Sequence, residues 1–281
     1  MLSNKNILTS VITIAAVLVI VFGVRYFLIQ SYKVSTSAME EALHRGDYIM
    51  VNKLKVTPER NDVVLFESPL SRDSLESPIF LSRCIGLPGD TIRVNDNGYT
   101  INGVSYPLSP NALCRYNISN TFSESLLTIL KKLDIPVRDK ENTEADVCIS
   151  LTPFEEYLIR EELPDTINNA FYKQGIKEYA LVIPKKNRHY KLDANSLAIC
   201  KEAILRETKG KAVFRDNKLF IDGKETSHFF FKQDYFWMLS DNKSRAVDSR
   251  HLGFVPKENI IGTAWFCWMS DTKQRAFKYI N

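Results

Sequence analysis

Gly98-Tyr99-Thr100-Ile101-Asn102-Gly103-Val104-Ser105-Tyr106 reads as two short strands around an Asn-Gly turn. Asn and Gly both tolerate positive φ, which the tight turn of a hairpin requires. The same pattern recurs on either side. Residues 47–54 alternate apolar and polar side chains with the period of a strand, and 62–66 (Asp-Val-Val-Leu-Phe) form a short buried-strand run. A second hairpin is expected within 213–226, with Asp222-Gly223 at or near a turn. Residues 235–239 and 260–269 are aromatic and β-prone. Many short strands with turn punctuation predict a mainly β fold.

The middle of the chain differs. Residues 123–133 place apolar side chains at helical spacing behind Ser123 and an acidic first turn. Thr152 is an expected N-cap with Pro153 in the first turn of a second helix, and 194–207 reads as a third. Residues 110–210 are therefore expected to be an α+β insertion in a β domain built from 33–109 and 211–281. No internal repeat or low-complexity tract interrupts this plan.

Residues 7–24 (ILTSVITIAAVLVIVFGV) carry no charge. At about 1.5 Å per residue, a helix over this run crosses a hydrocarbon core of about 30 Å if it continues slightly past Arg25, whose long side chain can snorkel. Tyr26 and Tyr32 supply aromatic side chains suited to the interface. The run is too long for the apolar region of a usual cleaved signal, and no Ala-x-Ala site follows it. Residues 1–32 are thus expected to be an uncleaved, single-pass membrane anchor. The charges flanking it do not set its orientation.

Hydrophobic residues make up 44% of the 281 and charged residues 25%, an ordinary globular balance. A net charge of +4 without a dense Lys/Arg block argues against a nucleic-acid surface. The cysteines (Cys84, Cys114, Cys148, Cys200 and Cys267) form no CxxC pair, so buried free thiols are expected in place of a zinc or thioredoxin-like site, with one disulfide in an oxidising compartment as the alternative. The sequence has no H-E-x-x-H, P-loop or G-x-G-x-x-G motif, and no metal or cofactor is expected.

Four further segments stand out together. They are Ser35-Thr-Ser-Ala-Met-Glu-Glu-Ala-Leu-His-Arg-Gly-Asp47 running on to Leu54, Arg60-Asn-Asp-Val-Val-Leu-Phe66, Ser82-Arg-Cys-Ile-Gly-Leu-Pro-Gly-Asp-Thr-Ile92, and Ser240-Asp-Asn-Lys-Ser-Arg-Ala-Val-Asp-Ser-Arg-His-Leu-Gly-Phe-Val-Pro256. Each alone is only a turn or a strand. In this order behind an apolar N-terminal run, they resemble the four sequence boxes of bacterial type I signal peptidase, over roughly residues 7–107 and 213–269. The resemblance implies a β-fold serine endopeptidase of the bacterial inner membrane, with its domain on the periplasmic or extracytoplasmic side. Such enzymes remove signal peptides from exported precursors after a small-x-small sequence. They use a serine nucleophile and a neutral lysine base, which a solvated ammonium cannot be at neutral pH.

The chemical positions depart from that pattern. The residue before Met39 is the nucleophile position, and here it is Ala38. The base position before Arg83 is Ser82, a hydroxyl far too weak to replace an amine. The base-orienting hydroxyl, two residues before Asp248, is Ala246. Glu41 stands where a proline is usual and Ser240 where a glycine is usual. Thr36 matches the second oxyanion hydroxyl, Met39 a substrate-contacting position, and Asp248 with Arg250 a structural ion pair near the site. Thr36, two residues before Ala38, is expected on the same strand face, and Ser37 on the opposite one. Lys53 and Lys55 are close in sequence but not at the base position. The histidines (His44, His189, His228 and His251) lack a paired motif. His251 beside Asp248 and Ser249 invites a Ser/His/Asp reading that adjacent residues do not satisfy.

The leading expectation is a signal peptidase relative that engages signal peptides at the membrane surface, with membrane lipid and an active paralogue as further partners. Its cleavage is expected to be weak or dead. Serine proteases stripped of these groups retain only roughly 10³–10⁴ over the water rate. One alternative is an active enzyme with a shifted nucleophile such as Ser37. Another is an anchored adaptor working through the insertion.

Overall fold

The computed structural model describes residues 4–40, 42–70, 77–95, 98–107, 112–175, 178–242, 246–271 and 275–280. Helix α1 (Asn4–Phe27) leads into β1 (Ile29–Lys33), which pairs antiparallel with β2 (Tyr48–Asn52). The uncharged run 7–24 is thus helical. The expected membrane-spanning length is another matter: among the described residues no helix is long and apolar enough to cross a membrane.

Strand β2 buries Ile49 and Val51 and leaves Tyr48, Met50 and Asn52 partly exposed, as its alternation predicts. β3 (Val63–Glu67) and β4 (Ile79–Gly86) pair along their length. β5 (Thr91–Asn95), β6 (Gly98–Ile101) and β7 (Val104–Pro107) form a meander. The β6–β7 turn sits at Asn102 and Gly103, with φ of 51° and 86°. This is the conformation that selects Asn-Gly.

Next come β8 (Cys114–Ser119), α2 (Ser123–Lys132), β9 (Arg138–Asn142), β10 (Asp146–Leu151), α3 (Pro153–Glu162), α4 (Asp165–Asn168) and β11 (Phe171–Lys173). Thr152 caps α3 through a capping box with Glu155. The start of α2 differs from expectation. Its N-cap is Phe122 without a side-chain cap, because a 3-10 turn precedes it and the Ser123 hydroxyl donates to the Asn120 carbonyl.

β12 (Tyr179–Val182), β13 (His189–Lys191) and α5 (Ala194–Glu207) follow. β14 (Ala212–Arg215), β15 (Lys218–Ile221) and β16 (Lys224–Thr226) form a three-stranded meander, which adds a turn at Asp216-Asn217 to the one at Asp222-Gly223. The chain ends with β17 (His228–Phe230), β18 (Tyr235–Leu239), α6 (Ser249–Leu252), β19 (Val255–Pro256), β20 (Ile260–Met269) and β21 (Lys278–Tyr279).

The fold is mainly β. The principal sheet has the order β1-β2-β20-β3-β4-β18-β19, with β21 added to β20. It interleaves the first and last thirds of the chain and brings 35–47, 82–92 and 240–256 together. Both faces are covered: Val63 and Leu65 join a core with Met39, Leu43, Ile49 and Val51, while Val64 and Phe66 join Cys84, Met238 and Leu252. Residues 114–171 enclose their own core around Tyr116, Ile118, Leu126 and Phe171. Within 110–210 the packing changes after β11. β12 pairs with β5, and α5 packs Leu197, Cys200 and Ile204 against Ile92, Trp237 and Phe231.

Candidate functional site

The segment after β1 is a closed loop. The Val34 N–H donates to the Asp47 carbonyl (2.8 Å) and the Gly46 N–H to the Val34 carbonyl (2.9 Å). Gly46 has φ of +102°, where a side chain is strained. Asp47 is buried and accepts from the His44 N–H at 2.8 Å. Inside the loop the chain bends at 36–37 and turns at 38–40. The strand alternation expected for 35–38 is therefore absent. Even so, Thr36 and Ala38 line one cavity of about 360 Å³, and Ser37 does not line it.

Val34, Ile49, Leu65, Ile79, Leu81 and Val247 give that cavity largely apolar walls. On the β4 side, Ile79–Leu81 pair with β3 through Glu67, Phe66 and Leu65. β18 pairs with β4 only from Arg83 onward. Beside 79–82 the second edge of β4 is thus unpaired by any strand among the described residues.

Ala38 is buried, and its carbonyl accepts from the Asn242 N–H at 2.9 Å, which joins the loop to the end of β18. Met39, expected at the substrate, is 1% exposed in the core beside Ile49 and Leu65 and does not line the cavity. Ser82 is wholly buried, and its Oγ lies 3.0 Å from Ser240 Oγ. Two positions at which this sequence departs from the resemblance are thus in contact, 158 residues apart in sequence. Ala246 is buried next to Val247 at the cavity wall. Glu41 lies outside the described residues.

Asp248 is fully buried. Its Oδ1 accepts from Arg250 Nε (2.9 Å) and N–H (3.1 Å), and its Oδ2 from Arg250 Nη2 and the Ser240 N–H, both at 2.9 Å. Burial works against the Arg250 charge, but the hydrogen-bonded Asp248 carboxylate outweighs it and the guanidinium pKa is raised. Arg83 makes a bidentate pair with Asp241, at 2.9 Å on each arm. These pairs hold the β4–β18 corner in register.

Other candidates lie elsewhere. Lys55 pairs with Asp62 at 2.8 Å and Lys53 Nζ lies 3.5 Å from Gln30 Oε1; neither lines the cavity. His251 lies in α6, exposed and 3.9 Å from Asp248, while Ser249 Oγ accepts from the Met238 N–H at 2.9 Å. The trio thus does not form a nucleophilic relay. The rings of His189 and His228 stack at 4.2 Å, remote in sequence from the four segments. The five cysteines are buried thiols.

The described groups at the cavity supply shape and hydroxyls: Thr36 and Ser35 at the wall and Ala38 where a nucleophile is expected; the Ser82–Ser240 pair, where an amine is expected, is buried and does not line the cavity. The sequence shows serines at positions 82 and 240, where the resemblance has a lysine and a glycine, but not that the two side chains touch.

The family model described as "Signal peptidase, peptidase S26" matches residues 7–156 and 176–269. Similar proteins include signal peptidase I of Buchnera aphidicola subsp. Schizaphis graminum, 24% identical over 91% of this chain and 72% of that protein. Signal peptidase I of Aquifex aeolicus is 23% identical over 92% and 83%, and that of Haemophilus influenzae 22% over 92% and 68%. The identity is low but spans both flanks of the 110–210 stretch and the segments that meet at the cavity, so the chain belongs to the signal peptidase family, peptidase S26.

Proposed function

We propose that this protein engages the signal peptides of exported precursors at a bacterial inner-membrane surface and cleaves them weakly or not at all. The observation that carries this reading is the buried Ser82–Ser240 hydroxyl contact: with Ser82 read as the base position and Ala38 as the nucleophile position, neither an amine nor a nucleophile stands there. A peptide can add as a strand beside Ile79–Leu81, placing a small side chain in the cavity between Ala38 and Leu81. Thr36 would face its carbonyl, and the Asp248–Arg250 pair shapes the wall.

Anchoring by residues 7–24 belongs to the same proposal. It is supported by the helical conformation of that run and by a cluster of aromatics on β20, on β21 and in the turn just before β21. Trp265, Phe277 and Tyr279 are exposed and in ring contact through Phe266. Such side chains suit a membrane interface. The soluble domain would then face the periplasmic or extracytoplasmic side, where an active paralogue is a natural partner.

The adaptor reading has an observation of its own. In the proposed insertion 110–210, Phe154 and Tyr157 stand exposed one turn apart on α3. Titration of the full chain in detergent with an Ala-x-Ala signal peptide separates the two. Saturable binding that weakens in Leu81→Glu supports the groove. No binding at millimolar peptide removes peptide engagement and leaves the adaptor.

A further inference from the structure

A second cavity, also of about 360 Å³, lies behind the Asp248–Arg250 pair and shares no wall residue with the one at Ala38. It is an open cleft bordered by α5, α6, Tyr179 of β12 and Trp237 of β18. Trp237 is 2% exposed, and its Nε1–H, a group that can only donate, has no hydrogen-bond partner among the described residues. The Tyr179 hydroxyl is in the same position. The two rings meet at 6.0 Å and 59°. Burial pushes the Tyr179 hydroxyl up to about 12, offset in part by the nearby Trp237 N–H and the Arg250 guanidinium.

The Tyr179 hydroxyl can accept from the Trp237 N–H as well as donate, so the two groups together lack at least one acceptor, and a buried donor left unmatched destabilises the fold. Ile199 and Leu252 make the side walls apolar, and Glu202 stands at the wall from α5. Arg250 already faces Asp248, so the interior is not strongly cationic. We propose that this cavity binds a small aliphatic molecule through a carbonyl-type oxygen, a carboxylate or an amide, which accepts from Trp237 Nε1 and Tyr179 Oη while the chain lies against Ile199 and Leu252. The volume falls within the range of small-molecule sites. This site is independent of the signal-peptide reading.

The test uses the full chain in detergent with ¹⁵N-labelled tryptophan, titrated with hexanoate and, separately, hexanamide. The Trp237 indole resonance, assigned through Trp237→Phe, is expected to move saturably with at least one probe, while those of Trp265 and Trp268 stay put. Whichever probe binds identifies the head group. Calorimetry should show binding about tenfold weaker in Trp237→Phe, the loss of one hydrogen bond, and abolished in Ala198→Phe, which fills the cavity. No saturable shift with either probe up to about 10 mM, well above the millimolar Kd that marks weak binding, overturns the proposal. So does equal affinity in wild type and Trp237→Phe.

Discussion

Removing the hydroxyl of Ser82 should destabilise the protein only as long as Ser240 keeps its own. The two Oγ atoms are 3.0 Å apart, in residues 0% and 3% exposed. Ser82→Ala leaves the Ser240 hydroxyl buried without this partner, a loss of about 1–3 kcal/mol, and Ser240→Ala does the same in reverse. Ser240→Ala spares the main-chain bond to Asp248, since that donor is the Ser240 N–H. The double variant loses one matched bond and strands neither group, so it should cost only about 0.5–1.5 kcal/mol beyond small packing changes. The effects are therefore non-additive, with a coupling of about 3 kcal/mol at the midpoints of those ranges. Urea unfolding of the full chain in detergent, followed by tryptophan fluorescence for all four proteins, measures this. Single effects that add to within about 0.5 kcal/mol would refute the pairing and free Ser82 for another role.

Thr152→Ala should lower stability by about 1 kcal/mol through loss of the α3 capping box, and Thr152→Ser should retain most of it in the same urea assay. Gly262→Ala should destabilise by at least about 1–3 kcal/mol, because the added Cβ would lie 2.4 Å from the Asn52 carbonyl oxygen, a main-chain atom of the adjoining strand; thermal unfolding reads this. Burial holds the Glu207 carboxyl above its ordinary range, against the opposing hydrogen bonds from Lys232 and Tyr235. The folded state thus keeps a proton that the unfolded chain has lost, so stability falls as pH rises from the ordinary carboxylate pKa through the folded value. Glu207→Gln should remove that part of the slope in unfolding measured from pH 4 to 7.

The strands legible in sequence were those whose signals are local. Asn102-Gly103 marks its turn because both residues must adopt positive φ, and Thr152 with Glu155 marks a helix start because the cap is made within four residues. The loop 34–47 was not legible as a loop. Its apolar residues Met39 and Leu43 look like strand positions, but they enter the core from a turn held by bonds to the Met39 carbonyl. The union of β12 with β5 and of α5 with the core around Trp237 depends on contacts across roughly a hundred residues, which no local pattern encodes. At the site, three altered positions could be named from sequence, but not that Ser82 and Ser240 touch, nor that Met39 points into the core.

The central claim is that the protein has kept a groove and lost its cutting groups. It is tested most directly by precursor cleavage with the full chain in detergent, beside a variant carrying Ala38→Ser, Ser82→Lys, Ala246→Ser and Ser240→Gly. The last change is included because Ser240 Oγ lies 3.0 Å from Ser82 Oγ, so removing it makes room for a longer side chain at position 82. The account predicts no cleavage by the unmodified chain and measurable cleavage by the variant. Cleavage by the unmodified chain, abolished in Ser37→Ala, would contradict it and make the protein a working signal peptidase with a shifted nucleophile.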